Sequence, residues 1–134
     1  MANEAVIIEL PRNIHPVMRT VADSGTIEKG TLLVLSDPNT VAASTGTGDI
    51  FGGIAAAEKV TLDGSTKLAV HLHGVFDLKN SPGPAITVGS WVTSSGTNLI
   101  RLATEAEVLL GKGIGIVEET AAGDEVSRVR LRGY

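Results

Sequence analysis

At 134 residues and 13.8 kDa the chain is the size of one ordinary domain, and without cysteine it can hold neither a disulfide nor a thiolate site. Charged residues make up 19%, aromatics 3%, and the net charge is −4 with a pI near 5.3, which excludes a basic or ring-lined nucleic-acid surface. Abundant Val, Ile and Leu exclude a disordered tail, no apolar run nears the ~20 residues of a membrane span, and Met1–Glu4 lacks a basic leader, so a soluble chain made in a cytoplasm is expected.

Short runs of Val, Ile, Leu and Thr, closed by Gly, Asp, Asn, Ser or Pro, read as strands. The first covers residues 5–10. Residues 11–25 follow neither a period of two nor one of 3.6 and read as a loop or arm. The apolar Ile14, Val17, Met18 and Val21 suit an arm that reaches over a neighbouring molecule. Further strands are expected at 31–35, 40–43, 54–60, 67–78, 90–94, 98–102, 113–119 and 126–131. Only residues 104–110 (TEAEVLL) mix helix formers without Gly or Pro, enough for two turns at most. The class is all-β, a sandwich or barrel, with an N-terminal strand and arm over 1–25 and a single domain over 26–134.

Two halves of that domain look alike. Gly30 aligns with Gly89, Ser36 with Ser95 and Asn39 with Asn98, an offset of 59. Gly53-Ile54-Ala55 aligns with Gly113-Ile114-Gly115 at an offset of 60, and Val70–Gly74 with Val129–Gly133 again at 59. The spacing predicts an internal duplication over about 30–74 and 89–133.

No constellation specifies chemistry. His71 and His73, at i and i+2 of a strand, would share a face and could offer two imidazoles to a metal. The aligned positions are Arg130 and Arg132, which reads instead as a polar face in both halves, so no metal or cofactor is assigned. Lys112 has neither the Gly five residues before its Gly-Lys pair nor the following Ser or Thr of a phosphate-cradling loop. Glu118-Glu119 and Asp124-Glu125 read as solvated turn charges, and no Gly-x-Ser-x-Gly elbow is present, so no enzyme is expected. Arg128, Arg130 and Arg132 alternate with Val129 and Leu131. They read either as charge guarding an edge strand or as a docking patch for an acidic partner.

The chain resembles the small head decoration, or capsid cement, proteins of tailed phages. The resemblance is carried by ANEAVIIE at 2–9, TIEKG at 26–30 with LLVLSDPNTVAAS after it, DIFGGIAAAEK at 49–59, GVFDL at 74–78, ITVG at 86–89, and GIGIV at 113–117 with AGD at 122–124. It implies a compact all-β domain of the β-tulip or β-barrel kind that forms homotrimers on the outer capsid and ties major capsid protein subunits together after shell expansion. It also implies that the N-terminal arm makes capsid contacts, often by adding a strand to a neighbouring sheet. Carried onto this chain, that role falls to Val6, Ile7, Ile8, Ile14, His15, Pro16, Val17 and Met18, although His15–Met18 itself matches no family motif. The other readings are a tail-tube or fibre module and a small β-barrel binding module.

Overall fold

The computed structural model describes residues 3–12 and 15–132. Its strands are β1 (Val6–Glu9), β2 (Val17–Thr20), β3 (Leu32–Ser36), β4 (Thr40–Ala43), β5 (Phe51–Ala55), β6 (Lys67–His71), β7 (Val75–Asn80), β8 (Trp91–Ser94), β9 (Leu99–Leu102), β10 (Gly115–Val117) and β11 (Val126–Leu131), with one helix, α1 (Glu105–Leu109). The all-β, barrel-like expectation holds, and the barrel occurs twice. Strands β2-β4-β3-β5-β6 close one barrel, while β7-β11-β10-β8-β9 close a second through the β7–β9 pairing, with β1 added to β7.

The two barrels share one wiring diagram. In each, a hairpin (β3–β4, β8–β9) is followed by a strand antiparallel to its first arm (β5, β10). The next strand (β6, β11) then pairs with the strand preceding the hairpin (β2, β7), which closes the ring by a parallel contact. Thr20↔Lys67 in the first barrel becomes Lys79↔Val126 in the second, an offset of 59 on both strands. The β5/β10 frame differs from the sequence alignment. Gly30 N donates to Ala55 O, and Gly89 N to Val117 O, so Ala55 corresponds to Val117 and Gly53 to Gly115, an offset of 62. The GIGI run at 113–116 offers two frames, and pairing geometry selects the second.

Two further expectations change. The loop or arm over 11–25 contains β2, which lies in register with β6 from Val17 to Thr20. The strand expected over 67–78 is two strands, broken where Gly74 takes φ +124°, a conformation that costs other residues dearly.

Neighbouring residues on β3 and β5 point to opposite faces, and this joins the barrels. Leu33 and Ala55 face the first interior with Val21, Ile27, Val41, Leu68 and Val70. Leu32, Ile54 and Phe51 face the other way and join Phe76, Leu78, Ile86, Val92, Ile100 and Val129 in one continuous cluster. Polar bonds reinforce the seam. The buried Asn98 side chain accepts from Leu32 N at 3.0 Å, and Asp49 N donates to Ser94 Oγ at 2.9 Å.

Helix α1 starts at Thr104, whose hydroxyl accepts from Glu107 N while the Glu107 carboxylate accepts from Thr104 N, a capping box. Glu107 also accepts from the two terminal nitrogens of the Arg101 guanidinium, at 2.6 and 3.0 Å, which fastens the helix to β9.

Candidate functional site

β1 lies antiparallel on the first residues of β7, with Val6 opposite Asp77, Ile7 opposite Phe76 and Glu9 opposite Val75. All four of its residues are exposed, Val6 by 58%. Its far edge is paired with no strand among the described residues, so it presents apolar side chains and free backbone groups together. Such an edge is a template for another chain.

The other arm residues divide. Ile14 lies outside the described residues. His15 and Pro16 are exposed and line a small cleft with Leu10, Pro11 and His71. Val17 turns inward against the first core, whereas Met18 turns outward and is 56% exposed.

The arginine stripe stands as a row: Arg128, Arg130 and Arg132 are exposed while Ser127, Val129 and Leu131 are buried. It does not guard an edge, because β11 is paired with β10 on one side and β7 on the other. Arg128 Nε lies 3.9 Å from Asp77 Oδ1, and Arg132 Nη2 donates to Gly111 O at 3.4 Å. Arg130 lines an open groove of about 440 Å³ with Glu9, Pro11, His73, Val75 and Glu118. That groove brings the end of β1 beside the arginine row.

His71 and His73 both line the small cleft that holds His15. His71 ends β6 and places its ring 5.6 Å from that of Phe76, and its pKa is lowered by burial and then by the Lys29 charge. His73 lies in the turn beyond and lines the arginine groove. Among the described residues no three His, Asp or Glu side chains are grouped to hold a metal ion, and no helix is long and apolar enough to cross a membrane.

The structure adds a surface the sequence reading lacked. Leu109 (81% exposed) on α1 and Leu102 on β9 flank a groove of about 390 Å³ floored by Trp91 and Val108. The signal was available: five helical residues followed by a second leucine, Leu110, leave both leucines without a core to enter.

A protein-family model described as phage cement protein matches residues 13–133, which takes in both barrels from β2 to β11. The chain belongs to the phage cement protein family. No curated protein matches the chain. Cement-family membership places this chain among structural proteins of the virion that bind and stabilise the capsid, which is not an enzyme class. The match begins at residue 13, so the β1 of this cement protein lies before the matched region.

Proposed function

We propose that this cement-family chain binds the outer surface of the phage head as a homotrimer, ties neighbouring major capsid protein subunits together and stabilises the expanded shell. The observation that carries the reading is the family match across both barrels. Its support is physical as well. Exposed apolar groups on β1 and beside α1 suit burial against other subunits, as does the low charge of the chain.

In this reading Val6, Ile7 and Ile8, then Ile14, His15, Pro16 and Met18, form the arm side of the contact, with Val17 packed inward behind them. Arg128, Arg130 and Arg132 meet an acidic surface of the shell. The chain is made in the host cytoplasm and binds only the assembled particle. Binding of that kind stabilises the shell by mass action, and many copies multiply the effect. Mass measurement in solution with co-sedimentation on expanded heads tests it. A trimer that pellets with heads at micromolar concentration is expected; a monomer left in the supernatant contradicts it.

A further inference from the structure

Strands β2 and β7 hold the same place in the two barrels, yet among the described residues only β7 carries an added strand. The residues of β7 opposite Glu9 and Val6 are Val75 and Asp77. Fifty-nine residues earlier, the offset that relates Thr20 to Lys79, stand Pro16 and Met18.

Hydrogen-bond phase fixes where their backbone groups point. Val21 N donates to Thr66 O, on the β6 side, and Thr20 N donates to Asn39 O, on the β4 side. Groups alternate along a strand, so the Met18 amide and carbonyl and the Pro16 carbonyl face away from β6. Among the described residues β2 is paired on that side only at Thr20, with Thr40. Among the described residues the edge before it is open.

A second observation lies beside it. Arg19 stands where β7 has the buried Leu78. Its guanidinium spans the gap to Asn39, on the turn leading into β4, and bonds the Asn39 side chain. Its Nε is buried without a hydrogen-bond partner, and among the described residues no carboxylate is ion-paired with it. The guanidinium thus brings a cation to the opening in a chain of net charge −4.

We propose that the β2 edge at Pro16–Met18 receives an extended, acidic segment of the shell protein, which adds a strand antiparallel to β2 and presents a carboxylate to Arg19. Shell protein as the source rests on the function proposed above. The count of strands favours a foreign segment over a second copy: each chain has two such edges and one β1. A copy that lends β1 to a neighbour uncovers its own β7, and Pro16 lacks the N–H that Val75 provides, so exchange gains nothing. An acidic segment instead pairs the open amide and offers a carboxylate to the Arg19 guanidinium.

The test is binding of the full chain to expanded heads by co-sedimentation, with two variants. Met18→Pro removes the outward N–H at a position where an edge tolerates proline. Arg19→Leu installs the residue of the other barrel and removes the cation. Each is expected to weaken head binding by about tenfold or more while the melting temperature holds. If Met18→Pro fails to fold, Arg19→Leu decides. A photo-cross-linking side chain at position 18 is expected to join the chain to shell protein. Wild-type affinity in a folded variant, or cross-links to a second copy of the chain alone, overturns the inference and leaves the cement reading intact. Failure of the wild type to bind heads overturns the cement reading and, with it, this partner.

Discussion

Lys59 and Ala121 occupy one position in the two barrels. Lys59 exchanges both backbone hydrogen bonds with Ile27, and Ala121 does the same with Ile86. The first carbonyl of the turn that follows accepts a side-chain donor besides the turn's own amide, and the barrels supply it differently. In the first, Lys59 Nζ donates to Val60 O at 2.6 Å and to Asp23 and Asp63 at 2.6 and 2.7 Å. In the second, Asn80 Nδ2 donates to Ala122 O at 3.0 Å, and the Asn80 carbonyl accepts from Ser127 Oγ at 2.8 Å.

The Lys59 cluster predicts an order of effects. The Lys59 side chain is fully buried, whereas its two carboxylates keep about a third of their exposure. Burial alone would lower the lysine pKa, but Asp23 and Asp63 outweigh it and raise the pKa above the ordinary value. Removing both acids (Asp23→Asn with Asp63→Asn) strands a buried cation, while Lys59→Met leaves carboxylates that water can reach. The double variant should therefore show the larger drop in melting temperature; the reverse order would mean that the ammonium finds other acceptors.

Acid should weaken the fold within a narrow range. Asp63 is held at about 2, first by the Lys59 ammonium and then by the Ser65 amide; Glu107 is held at about 2, first by Arg101 and then by the Thr104 amide. Both lie below their ordinary values of 3.8 and 4.5. For depressed carboxylates the contributed stability is complete above the unfolded pKa and is lost as pH falls through the folded one. Denaturant midpoints should thus be flat near neutrality and fall between about pH 4.5 and 2. Glu107→Gln should flatten part of that fall.

The second barrel should tolerate loss of its polar pair poorly. Asn80 and Ser127 are fully buried where the first barrel has Val21 and Leu68. Asn80→Val takes the acceptor from the buried Ser127 hydroxyl and one of two donors from each of the Ala121 and Ala122 carbonyls, which keep Ile86 N and Glu125 N, at a cost of about 2 kcal/mol by equilibrium unfolding. Val21→Asn should also destabilise, because no serine stands at Leu68 to receive it.

Gly115 should be irreplaceable. A Cβ there would overlap the Arg130 carbonyl oxygen on the paired strand, and its counterpart Gly53 would meet Val70 Cγ1. Gly115→Ala should cost more than about 3 kcal/mol, whereas Gly64→Ala, with open space around it, should cost about 1 kcal/mol for its φ of +84°. Thermal melts of the two variants separate these outcomes.

Most strands were legible because their apolar residues alternate between Gly and Asn turns. The matching hairpins of the two barrels were legible because Asn39 and Asn98 take φ +51° and +55° at their tips. β2 was not: a cation, Arg19, sits at an inward position and an apolar side chain, Met18, at an outward one, which inverts the usual pattern. In HLHG the alternation ran on past the real break at Gly74. The site was legible in part. Exposed β1 and the arginine row follow from local sequence, but β11 as an inner strand depends on partners about 50 residues away in the chain, and the leucine groove on how α1 docks.

The most direct test of capsid stabilisation is the rupture temperature of expanded heads, followed by release of their contents, with and without saturating chain. A rise that saturates at a fixed ratio of chain to capsid protein is predicted. Heads that bind the chain and rupture at an unchanged temperature would contradict it.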